Sequence, residues 1–104
     1  MKIYNKLVRD RIPGIIEAQG KICECRTLTD TEYLEALNTK LDEEVAEYHE
    51  SGSIEELADI LEVIYAIATA KGYPIGQLDS VQCEKANNRG GFDKKILLIS
   101  VHDD

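Results

Sequence analysis

KLDEEVAEYHESGSIEELADILEVIYAIATA, residues 40–70, decides the fold. Its first part continues an apolar spacing that begins upstream. Leu34, Leu37, Leu41, Val45 and Tyr48 recur at three, four, four and three residues, the period of one face of an α-helix. Thr29-x-x-Glu32 reads as a capping box that opens this helix at about residue 30. Ser51-Gly52-Ser53 ends it, and Ser53-x-x-Glu56 reads as a second capping box for a helix running to about Lys71. Two helices joined by so short a turn run antiparallel and side by side. The second differs in kind: from Leu57 to Ala68 every residue except Asp59 and Glu62 is apolar, so it is expected to be covered on more than one face. A chain of 104 residues has few other helices to do this, which predicts that a second copy of the chain covers the rest.

Outward from this hairpin the pattern is weaker. Leu7, Val8, Ile12, Ile15 and Ile16 supply apolar contacts for a first helix over residues 5–19, with Pro13 interrupting it or sitting in its first turn, and Gly20 as the stop. KICECRTL (21–28) alternates apolar and polar like a short strand. Residues 75–88 form a fourth helix ended by Gly90-Gly91, and KKILLISV (94–101) forms a strand that could pair with 21–28. The expected fold is mainly α: one domain over 1–104, a helical bundle completed by oligomerisation, with a small two-stranded β element.

Asp and Glu number 20 against 12 Lys and Arg, a net charge of -8. Such a chain is a poor electrostatic match for a nucleic-acid polymer, and a polyphosphate ligand would need a divalent cation between them. MKIYNKLVRDRIP carries charges where a secretion signal needs an apolar core, and no stretch reaches the roughly 18 apolar residues of a membrane span. Cys23, Cys25 and Cys83 do not make a four-ligand zinc set. These features predict a cytoplasmic protein with free thiols, acting away from membranes.

The chemistry lies in the carboxylates. Glu44 and Glu47 are three residues apart on the first helix of the hairpin, and Glu56 and Asp59 are three apart on the second, so each pair can serve one site. At about 100° per residue both pairs fall on the same-sense flank of their apolar stripes, taken as centred on Leu41 and on Leu57, Ile60, Ile64 and Ile67. If the chain turns between Ser51 and Gly52, Glu44 lies level with Asp59 and Glu47 with Glu56. No Lys or Arg lies between 41 and 70 to relieve their repulsion, so protons or a cation must. An all-oxygen set suits Mg²⁺ or Mn²⁺ rather than zinc. Against this, Glu47 could be a solvated helix charge and Glu56 only the partner of Ser53 in its capping box.

KLDEEVAE (40–47) followed by EELAD (55–59) resembles the E-E-x-x-E … E-x-x-D signature of the MazG-like, all-α nucleoside triphosphate pyrophosphohydrolases. YNKLVRDRIP (4–13) and KANNRGGF (85–92) resemble a small subgroup of it that carries an amino-terminal NKLVRDRIP box. The resemblance covers essentially the whole chain. It implies Mg²⁺-dependent cleavage of a nucleoside triphosphate between its α and β phosphates, with Glu44, Glu47, Glu56 and Asp59 as metal ligands and Glu43 as the glutamate that activates water. It implies a nucleotide substrate and a homodimer or homotetramer. Lys85, Asn88 and Arg89, ahead of Gly90-Gly91, are candidates for holding phosphate, as are Lys6 and Arg9; Arg9 also has Asp10 beside it as an ion-pair partner. Nucleotide-pool cleansing is the expected role. Phosphoribosyl-ATP hydrolysis in histidine synthesis and a non-catalytic helical interaction module are the rival readings.

Overall fold

The computed structural model describes residues 1–103 and contains four helices: α1 (Ile12–Ala18), α2 (Asp30–Ser51), α3 (Ile54–Ala70) and α4 (Gln77–Arg89). The chain divides into two compact units, Met1–Tyr73 with α1 to α3, and the part from Pro74 onward with α4.

The capping box at α2 forms in full. Thr29 Oγ1 accepts from the Glu32 N–H at 3.2 Å, and the Glu32 carboxylate accepts from the Thr29 N–H at 3.0 Å. Arg26 adds a two-pronged pair to Glu32 at 2.9 and 3.2 Å. The guanidinium, and after it the Thr29 N–H, hold the Glu32 carboxyl at a pKa of about 2. A depressed carboxyl pKa stabilises the fold above the unfolded value, near 4.3, and that contribution is lost as pH falls through about 2. Thr29→Ala removes one arm of the box and is expected to cost about 1 kcal/mol in urea denaturation at neutral pH.

α2 ends at Gly52, whose N–H still donates to the Tyr48 carbonyl at 2.7 Å and whose left-handed backbone (φ 65°) turns the chain out of the helix. Two residues later α3 begins, and the two helices pack against each other as a hairpin. Leu37 on α2 and Val63 on α3 are buried, flanked by half-buried Leu34, Leu41, Val45, Ile60, Ile64 and Ile67. Each fully buried aliphatic side chain stabilises by about 2 kcal/mol. The apolar stripe of α2 is the expected one. That of α3 is rotated: Leu57, expected on the packed face, is exposed, and Val63 takes the buried place.

Three expectations are corrected. α1 starts at Ile12 rather than residue 5, because the ring of Pro13, in its first turn, would collide with the Arg9 carbonyl of a longer helix. That carbonyl instead accepts the Ile12 N–H at 3.0 Å in a turn. Among the described residues no strand forms at 21–28 or 94–101. Ile22 is fully exposed, and Lys95 takes a left-handed backbone (φ 58°) that breaks the run before Ile96. A two-stranded ribbon without a third strand or a helix to pack on is marginal in water. Cys23, Cys25 and Cys83 are free thiols. Among the described residues no helix is long and apolar enough to cross a membrane.

Candidate metal centre

The hairpin sets four acidic side chains beside its seam. Glu44, Glu56 and Asp59 each offer a carboxylate oxygen, and these oxygens lie within 4.8 Å of one another. Glu44 is 5% exposed. Its Oε2 and the Oε2 of Glu56 are buried without a hydrogen-bond partner. Buried carboxylate oxygens are normally paired, so these two describe a place where a positive charge or a proton belongs.

Glu56 explains why the cluster is more than a helix cap. Ser53 Oγ accepts from the Glu56 N–H at 3.4 Å, the first half of a capping box. The second half is missing: the Ser53 N–H donates to Ser51 Oγ at 3.3 Å, and the Glu56 carboxylate turns to Glu44 and Glu47 instead. Burial, with the approach of Glu44 and Glu47, raises the Glu56 pKa to about 7. Glu56 thus interacts with both Glu44 and Glu47. Glu47 is exposed and stands outside the group of three.

Two basic side chains serve the cluster. Lys40 Nζ lies 3.3 Å from Glu44 Oε1 and 3.5 Å from Glu43 Oε2, so the candidate base Glu43 is held at the cluster's edge by an ammonium. Lys40 is mostly buried, and its three- and four-residue spacing to Glu43 and Glu44 is the signal that identifies it. Lys40→Met leaves Glu44 buried without this counter-charge and is expected to cost about 2 kcal/mol in denaturant unfolding of the metal-free chain. Arg9 Nη2 donates to Asp59 Oδ1 at 2.7 Å, so its partner is Asp59 and not the neighbouring Asp10. Lys6 lies over the Tyr4 ring at 5.7 Å. Lys85, Asn88 and Arg89 share the last turns of α4, whose C-cap is Gly90.

No family model and no solved structure matches the chain. A stretch of 42 residues is 62% identical to an uncharacterised protein of Mycolicibacterium smegmatis. It spans 40% of this chain and 43% of that relative.

Proposed function

We propose that this chain is a divalent-cation-dependent nucleotide pyrophosphohydrolase of the MazG-like kind, hydrolysing a nucleoside triphosphate to a nucleoside monophosphate and pyrophosphate. The observation that carries this reading is the Glu56 carboxylate, which forgoes its own helix cap to join Glu44 and Asp59 and leaves two buried oxygens without a partner. That donor set is all oxygen and negatively charged, which fits Mg²⁺ or Mn²⁺. Glu44, Glu56 and Asp59 would hold the ion, with Glu47 beside them. A bound divalent ion neutralises phosphate charge and lowers the pKa of an attacking water.

The chain's own groups supply the rest. Water adds across the α–β anhydride, the bond to the pyrophosphate oxygen breaks, and Glu43 takes the proton that the water loses. Lys40 keeps Glu43 directed along the edge of the cluster. Lys85, Asn88 and Arg89 are assigned to the substrate's phosphates on their sequence spacing, together with Lys6. The exposed stripe of Ile54, Leu57, Leu61 and Tyr65 on α3 supports a homodimer, single or paired into a tetramer. Removal of unwanted nucleotides from the cytoplasmic pool is the role this chemistry suits.

A pyrophosphate-release screen over nucleoside triphosphates and phosphoribosyl-ATP, with Mg²⁺ or Mn²⁺, tests the reading. Release that needs the cation and is lost in Glu44→Gln supports it. No release from any nucleotide, by protein whose melting temperature Mg²⁺ leaves unchanged, would rule it out.

A further inference from the structure

The amino-terminal segment meets the carboxylate cluster through a guanidinium. Arg9 Nη2 donates to Asp59 Oδ1 at 2.7 Å, across 50 positions of sequence. Asp59 is one of the three residues whose carboxylate oxygens lie within 4.8 Å of one another. The Arg9 carbonyl accepts the Ile12 N–H at 3.0 Å, so the residue that touches the cluster also carries the turn from which α1 starts. The pair faces solvent, with the Arg9 side chain 56% exposed and that of Asp59 36%. The hydrogen bond that Arg9 donates to Asp59 raises the Arg9 pKa, and the charges of Asp59, Glu62 and Glu44 add to this.

We propose that Arg9 is a built-in, displaceable counter-ion, which competes with a divalent cation for Asp59. The inference rests on the reading of the cluster as a cation site. Arg9 brings one positive charge spread over a plane, whereas a divalent ion brings two against the same oxygens. An ion pair this exposed is weak in water, so it yields to a stronger partner. Both cations cannot stay against Asp59 without repelling each other at short range. Cation uptake therefore releases Arg9, and the start of α1 loses its tie to α3.

Titration calorimetry of Mn²⁺, and separately of Mg²⁺, into the full chain and into Arg9→Gln tests this. The expected Kd is about three- to fivefold tighter in Arg9→Gln, because the competitor is gone. The difference should shrink as NaCl rises from about 20 to about 300 mM, since screening weakens the pair in the unsubstituted chain. Arg9→Lys keeps the charge but loses the planar fork, and its Kd should fall between the two. Circular dichroism of each variant confirms that it is folded. Equal or weaker binding by Arg9→Gln overturns the proposal, because Arg9 then ignores the cation or positions Asp59 for it. Absence of binding heat in the unsubstituted chain and in both variants overturns the cation reading itself, and this proposal with it.

Discussion

Glu56→Gln is expected to lower cation-dependent pyrophosphate release by more than about 100-fold while making the metal-free chain more stable at pH 8. The two effects share one cause. Glu56 is desolvated and faces Glu44 and Glu47, which raises its pKa to about 7. Its ordinary value in the unfolded chain is near 4.3. A carboxyl raised in this way is protonated in both states at low pH and costs nothing there. Between about pH 4.3 and 7 the unfolded chain loses the proton and the folded chain keeps it, so stability falls as pH rises. Above pH 7 the full penalty is present. Gln carries no charge at any pH, so the variant should melt higher than the unsubstituted chain at pH 8 and at a similar temperature at pH 4. Divalent cations need the same carboxylate ionised, so their affinity should rise as pH passes upward through 7. Thermal denaturation at both pH values, paired with the pyrophosphate assay, reads the two effects. A variant that is fully active, or that melts lower at pH 8, would show that Glu56 is not part of a cation site. Asp59→Asn should not stabilise in the same way, because Asp59 already has Arg9 for a partner.

The α2–α3 hairpin was legible because each of its parts is local. Capping residues, a three-four spacing and Gly52 are all read within one helical turn of the chain. The meeting of Glu44, Glu56 and Asp59 followed from the helical flank on which each lies and from the two-residue connection, which leaves little freedom of register. What escaped was set by competition between partners. Ser53-x-x-Glu56 has the sequence of a capping box, yet the Glu56 carboxylate leaves the cap and Ser51 takes its place. Nothing local says which partner wins. Lys40 was readable from its spacing to Glu43 and Glu44, but it lies one residue before the 41–70 stretch that carries no Lys or Arg. The Arg9–Asp59 pair spans 50 positions and leaves no periodic trace. The two strands failed for a different reason: alternation describes a face, and a face forms a strand only where an edge is offered to it. On α3, nearly continuous apolar sequence left the rotational setting open, which is why Leu57 is exposed and Val63 is buried instead.

The setting of α3 decides which substitutions separate two copies and which unfold the chain. Ile54, Leu57, Leu61 and Tyr65 are spaced three, four and four residues apart and fall within about 80° of the helix surface. All four are exposed in the chain, Leu57 at 44% and Leu61 at 50%. A two-fold axis would set this stripe against its own copy, since such an interface uses the same patch twice. Burying the part of each side chain now in water would contribute about 1 kcal/mol apiece on each copy. Association costs are of similar size, so the stripe is the centre of the contact, and losing it should dissociate the dimer. Light scattering at micromolar concentration is therefore expected to give twice the 11.7 kDa chain mass. Leu61→Glu should give the single chain mass with the helical content unchanged, because Leu61 is half exposed and is not one of the buried residues of the hairpin. Val63→Glu should behave differently: it puts a charge where Val63 packs in the hairpin and should unfold the chain rather than merely separate two copies. A fully active unsubstituted monomer would refute the assembly, and Leu61→Glu with unchanged mass would move the contact to another face of the chain.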